Sequence, residues 1–171
     1  MRLAVTLVGV ALLAGCATRP PVREPARPPM VVEPERPVAT AADYMAVSAS
    51  RSLLLVRAAE LAERRAPTVA TLARRIAANH RGIGAQLNLA GRRLDLLPSA
   101  ELLPLDAAQL AALGRTGEPA VAFRRIVASA VANCLADAGD YAMRGTSPTL
   151  RPVARFAEAV CREEAALLSR G

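Results

Sequence analysis

The chain contains no tryptophan and no lysine, and His80 is its one histidine. Aromatic residues make up 2% of it. That scarcity removes the stacking side chains that readers of single-stranded nucleic acid rely on. A net charge of +7 therefore gives no warrant for a nucleic-acid partner. A single histidine also rules out any site built from several imidazoles. There is no Glu-x-x-His pair, no glycine-rich phosphate loop, no G-x-S-x-G elbow and no zinc-ligand spacing. A nucleophile needs a base within hydrogen-bond reach, and only His80 could supply a neutral imidazole. The expectation is a protein with no catalytic residues and no cofactor.

What is present begins at the N-terminus. A basic start (Met1, Arg2) leads into an apolar run from Leu3 to Leu13, then Ala14-Gly15-Cys16. This is the order of a secretory signal peptide, and the run is too short to cross roughly 30 Å of hydrocarbon. Leu13-Ala14-Gly15-Cys16 resembles the lipobox of bacterial lipoproteins. The resemblance implies cleavage between Gly15 and Cys16, lipidation of the Cys16 thiol and acylation of the new amino terminus. Ordinary secretory cleavage that happens to precede a cysteine is the alternative. One acyl chain binds a membrane marginally, whereas two or more anchor stably. The mature protein is thus expected to be lipid-anchored in the bacterial cell envelope, on the periplasmic side. Ala17, where an aspartate would favour inner-membrane retention in enteric-type sorting, points to the outer membrane. With no lysine, covalent attachment to peptidoglycan through a C-terminal lysine side chain is excluded.

Residues 16–40 read as the lipidated cysteine and a linker. Seven prolines fall between Pro20 and Pro37, which favours extended polyproline II geometry at about 3.1 Å per residue. The remaining segment, 41–171, is expected to hold the folded domain. It is rich in alanine, leucine and valine, small side chains that let helices approach closely and that suit a bundle better than a sandwich. Thr40 and Asp43 resemble a capping box opening a helix from about Ala41 to Arg65. Its apolar stripe runs Tyr44, Val47, Leu54, Ala58 and Leu61. Pro67 starts a second helix carrying Val69, Leu72, Ile76, His80, Ile83, Leu87 and Leu94. After a connector at Pro98–Pro104 comes a short helix from about Asp106 to Leu113. Thr116 and Pro119 are expected to cap and start a long helix to about Met143. Past a turn at Gly145–Pro148, a last helix runs from about Thr149 to Ser169, with Leu150, Val153, Ala157, Val160, Glu164 and Leu167 on its stripe. The fold class expected is all-α, an antiparallel four-helix bundle with a short extra helix in the crossover.

From Asp43 onward the features resemble a bacterial family of predicted outer membrane proteins, domain of unknown function 4142. The resemblance lies in Asp43-Tyr44, in Pro67-Thr68-Val69-Ala70-Thr71-Leu72-Ala73-Arg74-Arg75-Ile76 leading to Asn79-His80, and in Gly145-Thr146-Ser147-Pro148-Thr149-Leu150-Arg151. It implies a secreted ferritin-like four-helix bundle. The chain departs from that family where acidic residues on the first helix give way to Leu53 and Leu55. The later helices also lack the family's histidines, with Glu164 near one such position. A ferritin-like di-iron centre requires a carboxylate from each of two helices and two Glu-x-x-His pairs. None can be assembled here, so no metal site is expected. Glu60 and Glu63 share a helix face and read as solvated ion-pair partners of the nearby Arg64 and Arg65.

Two function classes remain open. One is a structural or interaction protein without catalysis. The other is a binding module for a small apolar ligand or a metal in the bundle around His80. A closed Ala/Leu core favours the first, and a roomy pocket with convergent polar groups favours the second. His80 itself reads as a core or groove histidine held by one or two hydrogen bonds, with a ligand or pH-sensing role as the alternative. The membrane, through the N-terminal lipid, is one expected partner, and no protein partner can be named. The arginine pairs Arg64-Arg65, Arg74-Arg75, Arg92-Arg93 and Arg124-Arg125 would suit anionic lipid or cell-wall polymer if gathered on one face. Interleaved with Glu60, Glu63, Glu158 and Glu163, they would instead be surface ion pairs worth little each. Cys134 and Cys161, the two cysteines left after Cys16, lie at similar distances from the Gly145–Pro148 turn. A disulfide between them is expected in an oxidising compartment, with two buried free cysteines as the alternative.

Overall fold

A computed structural model describes residues 39–170. The expected signal peptide, the Gly15–Cys16 cleavage and lipidation site, and the linker up to residue 38 lie outside the described residues. Within them the chain is all-helical, with five α-helices and no strand. These are α1 (Ala41–Arg65), α2 (Ala70–Leu94), α3 (Pro104–Arg115), α4 (Pro119–Arg144) and α5 (Leu150–Leu168). α1 packs mainly on α2 and α4, α5 packs on α4 and α2, and α3 lies against α1 and α4.

The ends follow local chemistry. Thr40 caps α1: its hydroxyl accepts from the Asp43 amide at 3.1 Å and donates to the Asp43 carboxylate at 2.7 Å. Pro67 does not open α2 directly. It starts a 3₁₀ turn, Pro67–Val69, and the α-helix begins at Ala70. A proline lacks the donor for continued helix but suits a first turn. α2 ends where Asp95 adopts a left-handed conformation (φ 53°) and its amide bonds the Gly91 carbonyl. The Leu96 amide bonds the same carbonyl at 2.9 Å. The returning chain passes so close that a Cβ on Gly91 would sit 2.6 Å from the Leu96 oxygen.

One expected cap is corrected. The N-cap of α4 is Glu118, and Thr116 serves the turn before it by accepting from the Glu118 amide at 3.1 Å. At α5 the N-cap position is Thr149, and the first helical amide, that of Leu150, donates to the Ser147 hydroxyl at 3.3 Å. α3 is also longer than expected, because Pro104 supplies its first turn and Arg65 reaches over its end. The Arg65 guanidinium donates to the carbonyls of Leu113, Gly114 and Thr116 at 2.8–2.9 Å, which satisfies carbonyls a helix end leaves orphaned.

The core is alanine-rich and made of facing apolar stripes. Leu54, Leu55, Ala58, Ala59 and Ala62 of α1 are buried. They form a wider face than the expected stripe, of which Val47 and Leu61 are only half-buried. The reason is that α1 is covered by α2, α3 and α4 together. Ile76, Ile83 and Leu87 of α2 meet Phe123, Val127 and Val131 of α4 and Leu150, Val153 and Ala157 of α5 in one cluster. By length and composition α4 is apolar enough to cross a membrane. Its Phe123, Val127, Cys134 and Tyr141 are nevertheless buried in that cluster. A disulfide joins Cys134 of α4 to Cys161 of α5, with Cα atoms 6.3 Å apart.

Candidate functional site

His80 sits on the buried stripe of α2, one turn from Ile76 and from Ile83, and is 1% exposed. An imidazole so placed must find partners among its neighbours. Its Nε2 lies 3.1 Å from Oε2 of Glu164 on α5, and its Nδ1 lies 3.5 Å from the Ser52 hydroxyl on α1. Glu164 is equally buried, and its Oε1 accepts from the Asn79 side-chain amide at 2.9 Å. Three helices thus converge on one buried polar cluster. A carboxylate removed from water is strongly unfavourable unless hydrogen-bonded. Here each oxygen has a partner, so the cluster is satisfied, and removing any member leaves its partners exposed to that penalty.

Cys161 lies one helical turn before Glu164, on the same face of α5. Its sulfur, a His80 ring nitrogen and a Glu164 oxygen all lie within 4.8 Å of one another. Beside them is a cavity of about 10 Å³ lined by Ser52, His80, Ile83, Cys134, Ala138 and Ala157, together with Ser48 and Arg51. That is space for about one water molecule.

On the outer side of Ser52 and His80 is a larger space. A groove of about 500 Å³ runs between α1, α2 and the connector at Pro98, Ser99 and Ala100. Ser52 and His80 lie at its buried edge. Leu53, Val56 and Ala85 give it apolar walls, and Arg57, Arg81 and Asn88 stand along it. Arg57 donates to the Ala100 carbonyl at 3.3 Å, and Arg81 pairs with Glu60 at 2.6 Å. The volume falls within the range of small-molecule sites, roughly 300–1,000 Å³.

The expected site residues are distributed as follows. His80 and Glu164 are brought together. Leu53 lines the groove, whereas Leu55 is fully buried. Glu60 and Glu63 are surface ion-pair partners, but of Arg81 and Arg74 on α2, not of Arg64 and Arg65. Helix faces explain this correction: the neighbours in sequence point elsewhere, while α2 lies alongside. Glu158 pairs with Arg162. Sequence reasoning missed Ser52 and Asn79 as partners. A signal existed in Glu164, whose place on an apolar stripe requires a buried donor.

Comparison with family models, curated proteins and solved structures found no match.

Proposed function

We propose that this protein is a lipid-anchored, non-catalytic binding module of the bacterial cell envelope. In this reading Cys16 carries the anchor on the periplasmic side, most simply of the outer membrane. The four long helices form an antiparallel, ferritin-like bundle of the kind found in the predicted outer membrane protein family. The groove over His80 takes a small, mostly apolar molecule. The groove itself carries the reading, because it combines apolar walls with polar groups fixed at one edge. Arg57 and Arg81 suit a ligand with an anionic or hydrogen-bond-accepting end.

One observation supports the absence of catalysis. Ser52, His80 and Glu164 follow the order nucleophile, base and orienter, with the Ser52 hydroxyl 3.5 Å from the imidazole. Ser52 and His80 nevertheless lie in mid-helix, where backbone amides are spent on the helix itself and cannot form an oxyanion hole.

The test uses Gly84, which lines the groove and where an added Cβ would meet nothing within 4 Å. Gly84→Leu fills the groove while favouring the helix by roughly 1 kcal/mol. Anilinonaphthalene sulfonate, an apolar probe with one anionic group, should bind the purified protein saturably and bind Gly84→Leu at least tenfold more weakly. Absence of saturable binding, or equal binding by the variant, would contradict the reading. For the anchor, Cys16→Ser should move the protein out of the membrane fraction.

A further inference from the structure

Beneath the groove, the grouping of His80, Glu164 and Cys161 is more than a satisfied polar cluster. In a tetrahedral site with bonds of about 2.0–2.3 Å, neighbouring donor atoms stand roughly 3.3–3.8 Å apart. Nitrogen, oxygen and sulfur here already lie within 4.8 Å of one another, so modest side-chain rotations bring them onto one ion. The orienting partners are also in place. Asn79 holds the far oxygen of Glu164. Ser52 stands by Nδ1 of His80, where a metal-bound imidazole directs its remaining N–H. What closes the set is the bond from Cys161 to Cys134, since the thiolate is the metal-binding form of cysteine. The cavity of about 10 Å³ that touches His80 and Cys134 leaves room for about one water beside the imidazole.

We infer that this protein carries a redox-gated site for a zinc-class divalent cation, with Cys161, His80 and Glu164 as ligands and the Cys134–Cys161 disulfide as the gate. Opening is a two-electron step. A dithiol reductant passes two electrons and two protons to the disulfide, the S–S bond breaks, two thiols form, and the dithiol closes to its own disulfide. The cation then displaces the proton of the Cys161 thiol, which leaves to solvent. The proton on Nε2 of His80 is exchanged for one on Nδ1, facing Ser52, and Nε2 turns to the cation. The mixed nitrogen, oxygen and sulfur set suits zinc and its neighbours rather than calcium or magnesium, which take oxygen ligands. This site does not depend on what the groove holds.

Cobalt(II) tests it, because sulfur-to-cobalt charge-transfer absorption reports thiolate ligation directly. The purified protein, reduced with a phosphine, should take up one equivalent of cobalt with that absorption, and the oxidised protein should show none. Cys134→Ser, which leaves Cys161 free in every redox state, should bind without reductant. Cys161→Ser should never show the band, and Glu164→Gln should weaken binding at least tenfold. Gly84→Leu should leave cobalt uptake unchanged, which separates this site from the groove. The inference is overturned if the reduced protein and Cys134→Ser give no band, or if the oxidised protein gives the same one. Loss of helicity by circular dichroism in both reduced protein and Cys134→Ser would overturn it equally, since a folded dithiol state is required.

Discussion

Two buried layers of this molecule hold polar side chains and treat them oppositely. In one, Tyr44 of α1 stacks on Tyr141 of α4, with ring centroids 4.1 Å apart and planes 15° from parallel. Neither hydroxyl finds a hydrogen-bond partner of ordinary geometry among the described residues. In the other, His80, Glu164 and Asn79 satisfy one another across α2 and α5. The tyrosine layer is held by ring area and stacking. The histidine layer is held by pairing. An apolar replacement would serve the fold at least as well, as buried ion-pair substitutions often show. Pairing beside a groove, and stacking away from it, is the pattern expected if only the histidine layer has work beyond packing.

The comparison can be broken most forcefully at Glu164. Glu164→Leu leaves His80 and Asn79 without their acceptor and should lower stability by about 3–5 kcal/mol. Adding His80→Leu should recover much of that loss. Urea denaturation of the single and double variants checks both, and a double variant no better than the single would show that the pairing itself stabilises the fold.

A smaller effect should appear at high pH. Burial pushes Tyr44 up to about 12, against a weak pull from the Ser48 hydroxyl, and burial also raises Tyr141. Unfolded tyrosines lose their protons near 10.0. Between that pH and about 12 the unfolded chain therefore binds fewer protons than the folded one, and stability falls as pH rises. The contribution is intact below pH 10, and Tyr44 alone removes about 1.4 kcal/mol per pH unit above it. With only these two tyrosines in the chain and no tryptophan, tyrosinate absorbance gives a clean readout. It should lag well behind that of free tyrosine while the protein stays helical, and ionisation of a still-helical protein near pH 10 would count against the burial argument. The smallest change is expected from Tyr44→Phe, which removes a buried hydroxyl with no hydrogen bond of good geometry. Its stability should stay within about 1 kcal/mol of the parent or rise slightly, as thermal unfolding would report.

Much of the fold was legible because periodicity survives in a sequence of small apolar residues. The limits of α1 could be read from Thr40, Asp43 and Pro67, and the place of His80 on a buried stripe from its spacing to Ile76 and Ile83. The site was less legible. Ser52 looks like any helical serine until α2 is laid beside α1, and its environment depends on the crossing of two helices. Asn79 precedes His80 and should point elsewhere, yet its longer reach meets Glu164 at 2.9 Å. The groove could not be read at all, because its third wall is the connector at Pro98–Ala100. That segment has no periodicity to place it. Ser50 was hidden for the same reason: its hydroxyl bonds Asp106 at 2.5 Å and the Leu103 amide at 2.8 Å, both beyond that connector.

The single histidine makes the central claim directly measurable. Nitrogen-15 labelling of the imidazole gives resonances from His80 alone. Titration with anilinonaphthalene sulfonate should shift them saturably, in step with probe fluorescence, and the shift should vanish in Gly84→Leu. Probe binding that leaves the His80 resonances unmoved would place the ligand elsewhere and contradict the account.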